Sequence, residues 1–217
     1  MIWHTVRYLN PERYVRHGVQ NGHQTFLFMD LVGFTALTAE QGDENAAEVA
    51  IRFYSHVRAL LPDHCGEEIK TIGDAMMVRC DEPRQAIALA LRICHELGEA
   101  GDFPPVRIGV HTGSAVSRDG DWYGSGVNVA SRLCSAAGGG DVLVSDSTRE
   151  AAGAARWVAF GERQLHWLKN VPEPVAARSA SATQCSHSGR RPLRKLARLV
   201  TRRPVQALSI RHSEVTG

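Results

Sequence analysis

The run at residues 25–38, TFLFMDLVGFTALT, puts an acid, Asp30, at the end of an apolar strand-like segment. Gly33, Phe34 and Thr35 follow, and then a helix-like pattern begins. Burying an unpaired carboxylate is costly, so a charge in this position calls for a cation or a ring of backbone N–H groups. The turn can supply such partners. Its glycine lets a ligand approach the main chain closely, and the N-terminus of the next helix can hold a phosphate. The stretch therefore suits metal-bound polyphosphate, and it equally suits a plain strand-to-helix connection.

The chain around this run has 217 residues, 43% hydrophobic and 22% charged, as expected for one globular domain with extensions. Its net charge of +2 is unevenly spread: residues 185–217 carry eight Lys/Arg and one acid, Glu214, a local +7, which leaves −5 on the first 184 residues. Five cysteines without a CxxC spacing suggest neither a disulfide framework nor a zinc site. No apolar leader opens the N-terminus, and no run approaches the ~18 apolar residues of a membrane span. The expectation is a cytoplasmic protein.

Apolar spacing at Ala47, Ala50, Ile51, Tyr54, Val57 and Leu61 predicts a helix over 44–61, closed by Pro62 and Gly66. Residues 68–72 and 75–80 read as two strands about Gly73-Asp74, a strong hairpin dipeptide. Asp74 is there either as a turn former or as a second acid carried toward Asp30. Pro83 starts another helix, with Gly98 and Gly101 as stops. A strand at 106–111 ends at Thr112-Gly113. A helix over 127–136 projects Asn128 and Arg132 from one face, four residues apart. A strand at 142–145, a short helix from Asp146, paired strands at 156–160 and 164–169, and a last strand at 175–178 complete the pattern. Strands and helices alternate without a fixed repeat, which predicts an α/β or α+β sandwich, one sheet with helices packed on it. The expected domains are an N-terminal arm (1–24), a globular α/β domain (25–178), and a polar linker with a basic tail (179–217). A solvated tail is the first reading of that last segment. An anionic membrane surface or an acidic partner is the second, and nucleic acid, not expected as a partner, the third.

Four pieces in this order, FMDLVGFTALT, EIKTIGDAMMV, VRIGVHTG and DWYGSGVNVASRL, resemble the catalytic domain of class III nucleotidyl cyclases, the adenylate and guanylate cyclases. GERQLHWLKNVPEPV looks like that domain's closing segment. The resemblance implies a ferredoxin-like fold with one mixed, mostly antiparallel sheet, working as a head-to-tail homodimer with sites at the subunit interface. It implies that Asp30 and Asp74, with the backbone of Leu31, hold two divalent cations, Mg²⁺ or Mn²⁺. Gly33, Phe34 and Thr35 match the turn on the phosphates, and Arg107 a phosphate-contacting arginine. Lys70 and Asp121 match the pair that reads adenine. Asn128 and Arg132 match the catalytic pair that orients the substrate and stabilises the transition state. Lys169 matches a lysine reaching the phosphates from the partner subunit; the residue after it, often glycine in the family, is Asn170 here.

The implied function is an adenylate cyclase, forming 3′,5′-cyclic AMP and pyrophosphate from ATP. A guanylate cyclase and a catalytically silent regulatory module are the alternatives. Asp121 can accept from the adenine amino group and Lys70 can donate to N1, whereas guanine presents the opposite polarity. His111 reads as structural, and Trp122 and Tyr123 as packing around the dimer seam rather than purine stacking.

Overall fold

A computed structural model describes residues 21–183. Residues 1–20 of the expected arm and the basic tail lie outside the described residues, as does every reading made of that tail. Residues 21–24 of the arm open a strand.

Nine strands form one sheet among the described residues. The first half is β1 (Asn21–Leu31), α1 (Phe34–Leu60), β2 (Gly66–Ile72), β3 (Ala75–Cys80), α2 (Pro83–Ala100) and β4 (Val106–Arg118). Then come β5 (Asp121–Tyr123), α3 (Ser125–Ala136), β6 (Val142–Ser145), α4 (Asp146–Ala152), β7 (Val158–Phe160), β8 (Gln164–His166) and β9 (Val175–Ala182). The order is β2-β3-β1-β4-β6-β9-β7, with β5 on β4 and β8 on β9. The first six elements make two interleaved βαβ crossovers, each split by a strand of the other, which is the expected ferredoxin-like arrangement. Every pairing is antiparallel except β4 with β6.

Period-2 alternation along β1 sorts the core. Leu27, Met29 and Leu31 face α1 and α2 in one cluster, together with Phe53, Val57, Ile87 and Ile93. Phe26 and Phe28 face the other way, against Met77, Trp122, Val127 and Ala130. Asp30 shares the parity of Phe26 and Phe28, so it emerges on the α3 side of the sheet. α3 lies unusually close to β4. A Cβ built on Gly109 would stand 2.2 Å from the Cys134 nitrogen and 2.6 Å from the Ala130 oxygen.

Several local expectations need correction. α1 joins the helix-like pattern after Thr35 to the helix expected over 44–61: it runs from Phe34 to Leu60, with non-helical backbone at Gly42 (φ 84°, ψ 165°) between the two stretches. Its buried face carries Ala46 and Phe53, while Ala47 and Ile51 are exposed. Gly98 lies inside α2, which stops at a left-handed Gly101. Thr112-Gly113 does not end β4: the strand continues because β1, running back to Asn21, pairs with it as far as Val116. β7 and β8 do not pair with each other. Both lie antiparallel on one edge of β9, as one strand interrupted at Gly161. β8 stops at His166, short of Lys169, and β9 runs to Ala182, past Arg178. Among the described residues no helix is long and apolar enough to cross a membrane.

Gly109→Ala should lower stability by ~3 kcal/mol, the upper end of overpacking costs, because the obstructing atoms are backbone and cannot rotate away. Urea denaturation of the variant checks this; a loss below ~0.5 kcal/mol, the size of an ordinary surface change, would contradict the close packing of α3 on β4.

Candidate active site

The end of β1 and the β2–β3 turn bring two acids together. Asp30 is the last but one residue of β1, and Asp74 follows Gly73 in the turn. The Asp30 carboxyl lies within hydrogen-bonding reach of the Asp74 carboxyl, which also accepts from the Leu31 N–H. Burial first, and then Asp30, pushes the Asp74 carboxyl up to about 6. Arg107 is the cross-strand neighbour of Asp30 on β4. Its Nε donates to Asp30 Oδ2 at 3.0 Å, and its Nη2 donates to the same oxygen. Arg107, expected to face phosphates, thus also neutralises one of the two acids.

The adjoining turn is held by main-chain bonds. The Val32 N–H donates to the Pro105 carbonyl at 2.8 Å. Gly33 occupies the N-cap of α1 at φ 83°, a left-handed conformation open to glycine, with no side chain capping the helix. The first N–H groups of α1, those of Phe34 and Thr35 among them, are therefore available to an anion. Among the described residues no cluster of three or more His, Cys, Asp or Glu side chains could hold a metal ion. The two adjacent carboxylates are oxygen donors. Such donors fit a hard divalent cation that completes its shell with water and phosphate oxygens.

A second cluster sits on β2 and β5. Lys70 follows an irregularity in β2, where the register on β3 shifts between Glu68 and Lys70; such bulges re-aim the next side chain. Its Nζ donates to Asp121 Oδ2 at 2.6 Å, and Asp121 Oδ1 accepts from the Trp122 N–H at 2.7 Å. Both side chains stay partly open to solvent, at 34% and 25% exposure. Trp122 is buried edge-on to Phe26, ring centroids 5.7 Å apart, and Tyr123 is exposed with its ring centroid 6.0 Å from Lys70 Nζ. Trp122 thus packs within its own chain, while the exposed Tyr123 stands beside Lys70.

On α3, Asn128 is exposed and Arg132 half-buried, one turn apart, and neither side chain has a hydrogen bond or ion pair among the described residues. Lys169 is exposed in the turn after β8. Asn170 beside it takes φ 61°, a left-handed conformation in which asparagine is the best-tolerated substitute for glycine. His111 is half-buried with Nδ1 2.9 Å from Ser145 Oγ, and burial pushes it down to about 4, as befits a neutral structural imidazole. Tyr54 was legible in the sequence only as a core residue of α1. Its hydroxyl in fact donates to the Gly73 carbonyl, next to Asp74, and burial pushes it up to about 12.

The chain is similar to known proteins in sequence and in fold. Residues 19–166 match the family model described as the adenylate and guanylate cyclase catalytic domain. A pH-sensitive adenylate cyclase of Mycobacterium tuberculosis is 41% identical over 151 residues, covering 67% of this chain and 38% of that protein. An adenylate cyclase of Streptomyces griseus is 35% identical over 54% of this chain and 29% of its own length. The chain thus spans well under half of these relatives. The crystal structure of the adenylyl cyclase CyaB from P. aeruginosa superposes with a TM-score of 0.63 at 21% identity, over 77% of this chain and 98% of that one. An adenylate/guanylate cyclase/hydrolase from Silicibacter pomeroyi gives 0.66 at 24%, over 76% and 99%. At these identities the superpositions speak to the fold.

The raised Asp74 value has a consequence for stability. A carboxyl that holds its proton more tightly folded than unfolded costs stability as pH rises from its ordinary value of 3.8 through about 6. In chelator, Asp74→Asn should therefore melt at a higher temperature than wild type above pH 6, with the gap closing toward pH 4. Thermal melts across that range check it; a gap that does not change with pH would contradict it.

Proposed function

The chain belongs to the adenylate and guanylate cyclase catalytic-domain family, and on that premise we propose that it is an adenylate cyclase, converting ATP to 3′,5′-cyclic AMP and pyrophosphate. The observation that carries the choice of base is the Lys70–Asp121 pair, joined at 2.6 Å and partly open to solvent. Adenine offers a donor at N6 and an acceptor at N1. Asp121 accepts and Lys70 donates, so the pair matches adenine and leaves guanine's groups facing their like.

In this reading Asp30 and Asp74, with the backbone of Leu31, hold two divalent cations, Mg²⁺ or Mn²⁺, which when bound acidify the ribose 3′-hydroxyl and neutralise the leaving pyrophosphate. The main-chain N–H groups of Gly33, Phe34 and Thr35, and the side chains of Arg107 and Lys169, bind the phosphate oxygens. Asn128 fixes the ribose so that its 3′-oxygen points at the α-phosphorus. Arg132, planar and always charged, meets the negative charge that builds on the phosphoryl oxygens. The free side chains of Asn128 and Arg132 support a site completed by a second copy of the chain, each subunit of a head-to-tail homodimer supplying one half to each of two sites. The same assignment accounts for the left-handed Asn170, which shapes the turn that carries Lys169.

Turnover of purified protein with ATP or GTP, in Mg²⁺ or Mn²⁺, tests the reading by chromatography of the products. Cyclic AMP from ATP is expected, abolished in Asp74→Ala. In Asp121→Ala the preference for ATP over GTP should fall roughly tenfold to a hundredfold, the value of one charge-assisted hydrogen bond. GTP consumed faster than ATP by the wild type would make the protein a guanylate cyclase. Silence with every nucleotide in a confirmed dimer would point to a regulatory module or to an enzyme that requires an activator.

A further inference from the structure

The turn that carries Asp74 closes β2 and β3 just past their last pair, Ile72 with Ala75. Among the described residues β2 is an edge strand, paired only with β3. Further support for the turn comes from α1. The Tyr54 hydroxyl donates to the Gly73 carbonyl at the turn. One helical turn further on, Arg58 donates from Nε and Nη2 to the two carboxylate oxygens of Glu68 on β2, at 2.7 Å each. The Arg58 guanidinium also lies 5.7 Å from the Tyr54 ring centroid. The helix is thus tied to the hairpin at two heights, along the strand by Arg58 and at the tip by Tyr54. Tyr54 itself is fixed: its ring is buried and packs on Phe53, centroids 5.6 Å apart.

We propose that Tyr54 is a positioning residue for the cation-binding corner: its hydroxyl holds the Gly73-Asp74 turn where Asp74 meets Asp30. The proposal rests on the reading of the two aspartates as ligands of divalent cations. Tyr54 touches neither substrate nor cation; it acts through the Gly73 carbonyl. Phenylalanine at this position keeps the ring packing and removes the only side-chain donor that the Gly73 carbonyl has among the described residues. The turn then loses its tie at the tip, the spacing of the two acids spreads, and cation affinity falls, because outer partners that orient ligands contribute to affinity as well as to order.

The test is Mn²⁺ alone, titrated into the full chain and counted as free ion by electron paramagnetic resonance, with folding checked by circular dichroism. Tyr54→Phe should bind Mn²⁺ about tenfold more weakly than wild type. Arg58→Met cuts the lower tie and keeps the hydroxyl; it should lower the melting temperature and leave Mn²⁺ affinity within about twofold. Equal affinity in Tyr54→Phe and wild type overturns the proposal and leaves the aspartates as ligands. Equal loss in Tyr54→Phe and Arg58→Met also overturns it, assigning the effect to general loosening of the hairpin. A wild-type chain with no saturable Mn²⁺ site, or one whose site survives Asp74→Asn, overturns the reading of the aspartates beneath it.

Discussion

Two carboxylates within hydrogen-bonding reach of each other repel when both are charged, and the pair Asp30–Asp74 is the point from which the rest of this structure makes sense. Burial and mutual proximity push Asp74 up to about 6. The fold holds the pair together with main-chain geometry and one cation of its own. Strand parity turns Asp30 to the α3 side, antiparallel register sets Arg107 directly across from it, and the Leu31 N–H supports Asp74. A domain selected only for stability has no use for such a pair. A site that must gather divalent cations and a polyphosphate has every use for it.

The other half of the chemistry depends on a different constraint. Asn128 and Arg132 stand on α3, and α3 reaches its place only because residue 109 has no side chain. The Lys70–Asp121 pair depends on an irregular edge strand and a three-residue strand folded back on β4. Among the described residues no side-chain hydrogen bond or ion pair joins Asn128, Arg132 or the Lys70–Asp121 pair to Asp30 or Asp74, although Arg107, the partner of Asp30, also donates from Nη1 to the Ser135 carbonyl of α3 at 3.4 Å.

Much of this was legible in the sequence because it is local. The Gly73-Asp74 hairpin, the apolar strand ending in Asp30 and the one-turn spacing of Asn128 and Arg132 each follow from a few consecutive residues. What was not legible depends on partners far along the chain. Thr112-Gly113 looks like a strand end, yet β4 continues because residues 21–25 come to pair with it. β7 and β8 look like a hairpin, yet both take β9, whose strand begins after them, as their neighbour. In α1, Ala46 and Ala47 are chemically alike, and only the tertiary fold decides that the first is buried and the second exposed. The ion pair of Arg107 with Asp30 and the bond from Tyr54 to Gly73 join residues 77 and 19 positions apart. No periodicity announces such contacts.

The most direct test of the shared-site account mixes two inactive variants. Asp30→Ala lacks the acid half of each site and Arg132→Ala lacks the arginine half, so each homodimer is silent by itself. A heterodimer of the two contains one site with both defects and one with neither. The account predicts that cyclase activity returns on mixing, up to about a quarter of the wild-type rate when subunits exchange at random and both sites work independently. No recovery in a mixture whose heterodimer is demonstrably formed would contradict it, and would require each subunit to carry a complete site of its own.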